Sequence, residues 1–149
     1  MLIDSFIGAA LIALTVTIHA VGTSLWVRSA RHRFADRDTG WRLGEAVRVL
    51  IGTGIVLVVL HTIQILLWAG AYLLVVAPDA FASPQEAVYF SFVTFTTLGY
   101  GDITLTGDGR LLSGIEALNG ILLVGWSTAV LFAMVQRMWQ NIGNPNHET

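Results

Sequence analysis

The sequence predicts an all-α integral membrane fold: three transmembrane helices and one helix that enters the membrane and turns back. Three observations carry this. Of 149 residues, 54% are hydrophobic and only 12% are charged, a balance that excludes a disordered or nucleic-acid-binding chain. Three apolar stretches each exceed the roughly 20 residues that cross a bilayer. Between the second and third lies a segment too apolar for an ordinary loop, and the helix within it is too short to span.

The first span is read at about Ser5–Val27. Asp4 stands where a secretory leader would carry basic residues, so this stretch is read as a retained helix. The second span is read at about Val49–Ala77 and the third at about Leu111–Val135. Organisation follows: residues 1–48 hold the first helix and a basic loop, 49–140 form a pore unit, and 141–149 are a short tail. Few residues follow Val135, so the sequence offers no cytoplasmic ligand-binding domain.

Arginine placement orients the chain. Arg28, Arg31, Arg33, Arg37, Arg42 and Arg48 lie between the first two spans, which makes that loop cytoplasmic. Arg137 falls on the same side. The N-terminus is then outside, the C-terminus inside, and the plasma (inner) membrane is the expected location. The basic loop should turn near Asp38–Gly40, with Trp41 as an interfacial anchor. Its arginines act as a topology signal or as a lipid-headgroup site. No cysteine exists, so disulfides and thiol chemistry are excluded.

The intervening segment opens with Ser83, Pro84 and Glu86, a capping box with proline at the first helical position. The helix that follows is apolar on most faces and about 12 residues long, so it reaches about 18 Å. It must stop partway through the membrane. The chain then reads T-F-T-T-L-G-Y-G-D at 94–102. This return segment has no nucleophile and base and no metal-ligand cluster. What it offers is backbone oxygen. Glycines permit positive φ, and alternating left- and right-handed residues point successive carbonyls to one side. One such strand cannot surround an ion, whereas four around an axis can. Oxygen dipoles without carboxylates suit a weakly hydrated monovalent cation. The C-terminal end of the half-helix, near Thr94–Thr96, adds about half a negative charge per chain.

Thr96-Thr97-Leu98-Gly99-Tyr100-Gly101-Asp102 resembles the selectivity filter of the tetrameric potassium channels, T-x-G-Y-G followed by Asp. The order of half-helix, filter and following span is also similar, and the resemblance covers about Ser83 to Gln136. It implies a potassium-channel-like pore in a homotetramer, with potassium ions as the bound species and no organic cofactor. Partners are other copies of the chain and membrane lipid, not nucleic acid. Carbonyls of Thr97, Leu98, Gly99 and Tyr100 would line the ion sites, the Thr97 hydroxyl would close the inner one, and Gly101 would finish the outer turn. Asp102 would sit behind the filter opposite Tyr89, where many family members have a tryptophan. Val93 replaces a glutamate present in some bacterial members. Thr96 and Glu116 complete the expected filter support, and Gly120 falls at the family's hinge glycine, with Gly125 five positions on; read from the residues alone, both glycines also suit helix–helix packing, as do Ala129 and Ala133.

Some residues stay open on sequence grounds. Glu116 either braces the pore helix through its hydroxyls or attracts ions and senses protons. His19 and His61, both mid-membrane, are either neutral imidazoles bonded to a helix carbonyl or to Gln64, or ligands of a haem or metal. The first span lacks regularly spaced arginines, which argues against voltage sensing of that kind. The leading function is a passive potassium-selective channel. Alternatives are a weakly selective monovalent cation channel, a non-conducting channel-like subunit, and a membrane redox or haem enzyme using the two histidines.

Overall fold

The computed structural model describes residues 2–34, 43–76 and 79–142. Four α-helices account for most of them: α1 (Leu2–Phe34), α2 (Leu43–Ala71), α3 (Pro84–Phe95) and α4 (Asp108–Ile142). Stretches of α1, α2 and α4 are long and apolar enough to cross a membrane: Ser5–Ala30, Leu43–Val76 and Gly109–Trp139. The helices outrun the apolar stretches read from sequence because polar residues continue them. Glu45 and Arg48 extend the start of α2 six residues ahead of Val49. The turn expected near Asp38–Gly40 and the Trp41 anchor lie outside the described residues, as does most of the tail.

α2 ends in a π-helical turn, Tyr72–Val76. The extra residue per turn in this conformation coincides with a fully buried Tyr72. α3 begins as its sequence dictates. Ser83 is extended, Pro84 occupies the first turn, and the Ser83 hydroxyl accepts from the Glu86 N–H at 3.3 Å. The reciprocal half differs from a simple capping box: the Glu86 carboxylate takes the N–H of Ala82, one residue before the cap.

The core lies where α2, α3 and α4 meet. Trp68, Tyr72, Phe81, Phe90, Phe95, Leu112 and Leu123 form it, with Leu11, Ile12 and Val16 of α1 packed against it. α1 is thus seated against both α2 and α4. Small residues allow the approach. A Cβ at Gly22 would lie 2.6 Å from the Leu60 side chain, and one at Gly52 would lie 2.8 Å from the Trp26 ring. Trp26 also donates to the Thr53 hydroxyl at 2.9 Å.

Candidate functional site

The site is the segment that follows α3. Thr97, Gly99 and Gly101 have φ of 60°, 57° and 78°, while Leu98 and Tyr100 do not have positive φ. Left-handed residues therefore alternate with others through the whole return segment. For Gly99 and Gly101 this conformation is free of strain. For Thr97 it costs about 1–2 kcal/mol, so surrounding bonds must hold it.

Those bonds come from the end of α3. The Thr97 N–H donates to the Thr94 carbonyl at 2.9 Å. The N–H groups of Leu98 and Gly99 both reach the Val93 carbonyl, at 2.9 and 3.3 Å. The first donors of the segment, through Gly99, are consumed by the half-helix. Among the described residues, the carbonyls of Thr97, Leu98, Gly99 and Tyr100 accept no backbone or side-chain hydrogen bond. Buried in protein, four such oxygens would each be costly. Here the segment from Thr96 to Asp102 is exposed along its length.

The Thr97 hydroxyl turns back onto the Thr96 carbonyl at 2.6 Å, and its lone pairs stay available. Thr96 caps α3 and donates its hydroxyl to the Phe92 carbonyl. Behind the segment, the Tyr89 phenol donates to Asp102 Oδ2 at 2.7 Å. That bond holds the phenol proton, keeping Tyr89 above its ordinary ionisation range. Tyr100 lies on the exposed side and makes no side-chain hydrogen bond among the described residues. A cleft of about 650 Å³ separates the α3–segment unit from α4, with Tyr89, Val93, Asp102 and Arg110 on its walls.

Glu116 lies on α4 and is fully buried. It accepts from the Tyr72 phenol at 2.8 Å and bonds the Ser91 hydroxyl of α3. Ser91 also reaches the Ile65 carbonyl of α2 at 3.0 Å. The carboxyl thus pins the middle of α3 to both flanking helices.

Gly120 sits at the closest approach of α4 to the end of α3. A Cβ there would fall 1.9 Å from the Phe95 carbonyl oxygen. α4 runs unbroken through both Gly120 and Gly125, and Gly125 has open space around it. His19 and His61 lie together, ring centroids 5.2 Å apart and bonded to Gln64 and Ser127, with the His61 ring against Phe95 at the end of α3. Tyr72 and the backbone role of Val93 escaped the sequence reading, and Ser91 entered it only as one of the pore-helix hydroxyls. The Val93 contribution is a backbone carbonyl and carries no side-chain signal. Tyr72 and Ser91 are ordinary apolar-helix residues until Glu116 is placed between them.

A capped half-helix, an exposed carbonyl strand with alternating handedness and a following spanning helix define a pore-loop membrane protein. Comparison with known sequences agrees. The profile of an ion-channel family matches residues 60–137, just over half of the chain, and the chain belongs to that family. It is a multi-pass membrane protein of a non-enzyme class, which removes the haem-enzyme alternative. The chain is 33% identical over 60 residues to the potassium voltage-gated channel protein Shal of Drosophila melanogaster. That stretch is 40% of this chain and 10% of Shal, so the chain spans only a small part of that relative. It is 29% identical over 109 residues to Protein LctB of Geobacillus stearothermophilus, covering 68% of this chain and 76% of LctB. No solved structure gives a significant match.

Proposed function

We propose that four copies of this chain assemble around a common axis and conduct potassium selectively and passively. The observation that carries the reading is the return segment. Its Thr97, Leu98 and Gly99 donors are tied to α3, its handedness alternates at Thr97, Gly99 and Gly101, and the carbonyls between Thr97 and Tyr100 stay free. Free carbonyls at membrane depth are tolerable only against water, ions or protein. Four strands facing one another replace the shell of a weakly hydrated cation, and four α3 ends aim partial negative charge at the same axis. The exposed Phe92, Leu98 and Tyr100, together with the cleft beside Tyr89 and Arg110, offer a neighbouring copy its seat. The similarity to a named potassium channel supports the choice of ion. Arginine placement supports an outside N-terminus and a cytoplasmic C-terminus.

The test is flux through purified protein in liposomes, with potassium or sodium as the only permeant cation and barium as blocker. Potassium flux well above sodium flux, blocked by barium, is expected. Equal fluxes would replace selectivity with a general monovalent pathway. Flux absent from a verified tetramer would favour a non-conducting subunit.

A further inference from the structure

Four side chains from three helices close a ring near mid-membrane. Gln64 Nε2 lies 3.1 Å from His19 Nδ1, and His19 Nε2 lies 3.3 Å from Ser127 Oγ. Ser127 Oγ lies 2.8 Å from His61 Nε2, and His61 Nδ1 lies 3.1 Å from Gln64 Oε1. His19 and Gln64 are fully buried, Ser127 nearly so. An outside contact sets the direction of the ring. Gln64 Nε2 also lies 3.4 Å from the Thr15 carbonyl, which only accepts, so the amide nitrogen belongs on that side.

The protons then follow in sequence. Gln64 donates to His19 Nδ1, so the His19 proton sits on Nε2 and points at Ser127. Ser127 has one proton, which goes to His61 Nε2. The His61 proton therefore sits on Nδ1 and returns to Gln64 Oε1. Every donor meets an acceptor while both imidazoles are neutral, and they hold opposite tautomers. A second link lies close by: the Asn119 amide donates to the Thr15 hydroxyl at 2.9 Å, again joining α1 to α4.

An added proton has no place in this pattern. On His19 it would set an N–H against the Gln64 amide N–H. On His61 it would displace the Ser127 proton from the ring. Either charge would face the other imidazole, 5.2 Å away centroid to centroid. Among the described residues nothing packed around the pair supplies a countercharge. α3 presents the Phe95 ring to His61, and α4 presents Trp126 to His19. The nearest acid on α4, Glu116, lies eleven residues from Ser127, about 16 Å along the helix, and is engaged with Tyr72 and Ser91.

We propose that the ring of His19, Gln64, His61 and Ser127 is a proton-sensitive latch that seats α1 on the pore helices. It is closed while both imidazoles are neutral and opens when either takes up a proton. Opening removes the ring's polar links from α1 to α2 and α4, leaving the Trp26–Thr53 and Thr15–Asn119 bonds in place, and sets a charge in the bilayer that draws in water.

The experiment uses the full chain in lipid nanodiscs with ¹⁵N-labelled histidine, His32 and His147 being replaced by glutamine. At about pH 7.5 the nitrogen spectra should show one Nε2–H and one Nδ1–H imidazole, with H19Q removing the former. On acidification to about pH 3, far below the ordinary histidine range, both patterns should vanish together. Hydrogen exchange of α1 amides, corrected for the intrinsic pH effect, should then rise about tenfold or more. Two imidazoles in the same tautomer, or a charged imidazole at neutral pH, would overturn the ring. Unchanged α1 protection after protonation would overturn the latch. These readouts do not depend on conduction: missing flux with the tautomers as stated defeats the channel reading and leaves the latch standing.

Discussion

Replacing Gly120 with alanine tests the contact that holds the pore loop. The new Cβ would fall 1.9 Å from the Phe95 carbonyl oxygen and 2.8 Å from its carbon. Side chains essentially never approach closer than 3.0 Å, so the helices must part by at least 1.1 Å. The obstacle is backbone, so no rotamer change relieves it. Overpacking a core costs about 1–3 kcal/mol, and a rigid backbone neighbour places this site at the upper end. Phe95 lies two residues beyond Val93, whose carbonyl holds the Leu98 and Gly99 amides. Displacing that turn displaces the filter by a comparable distance, and errors near 1 Å in a positioned site cost on the order of a hundredfold. G120A should therefore lower both the melting temperature of the tetramer in detergent and potassium flux in liposomes, the latter by at least about tenfold. G125A, with open space at its Cβ, should change neither. A Gly120 that serves only as a bending point makes a different forecast: normal melting with altered open probability. Wild-type melting and flux in G120A would refute the contact argument.

Four further outcomes follow from the same geometry. E116A leaves the buried Tyr72 and Ser91 hydroxyls without their carboxyl, which should destabilise the fold by about 2–4 kcal/mol; E116Q keeps an acceptor for Tyr72 and should cost less than about 1 kcal/mol, both read by denaturant titration of the detergent-solubilised protein. G99A forces a side chain into φ 57°, at about 1–2 kcal/mol per chain, and should reduce the potassium-to-sodium flux ratio. Y89F removes the donor to Asp102 and should shorten the conducting lifetime of single channels without preventing assembly. Alkaline titration should do the same to the wild type: the raised Tyr89 ionisation means its bond is fully present below about pH 10 and is lost as pH climbs through the shifted value. A Y89F lifetime equal to wild type would sink both statements about Tyr89.

The sequence was most legible where chemistry is local. Ser83, Pro84 and Glu86 announced the start of α3, and the apolar lengths announced three spans, because capping and hydropathy need only near neighbours. The segment from Thr96 to Asp102 was legible through its glycines, whose conformational freedom has few other uses between apolar helices. Long-range pairings were not. Glu116 could be read as facing an ion path or a helix, since periodicity does not say which neighbour fills the space. Gly120 read either as a place for bending or as a small residue at a helix contact, because sequence cannot show a carbonyl pressed against its Cα. The histidine ring joins positions 19, 61, 64 and 127, and only the packing of three helices brings them together.

α1 supplies polar partners to both α2 and α4. α2, α3 and α4 already place the carbonyl strand, and the Tyr72–Glu116–Ser91 cluster fixes α3 without help from α1. Yet α2 and α4 both bear buried polar groups facing away from that cluster: Gln64, Thr53, Asn119 and Ser127. In hydrocarbon these groups need partners. Their hydrogen-bonding partners on α1 are Thr15, Trp26 and His19. Hydrogen bonds of this kind between membrane helices contribute about 0.6 kcal/mol each on average, so no single one fixes α1. Their value lies in specificity, because any rotation or slip of α1 would strand several polar groups at once. Removing α1 should therefore not simply thin the protein. It should expose a polar stripe on the outer face of the pore unit, and a chain lacking residues 2–34 should fail to assemble in lipid even with its filter sequence intact. Tetramers of that truncated chain, stable in bilayers, would show that α1 is dispensable and that its polar contacts are incidental.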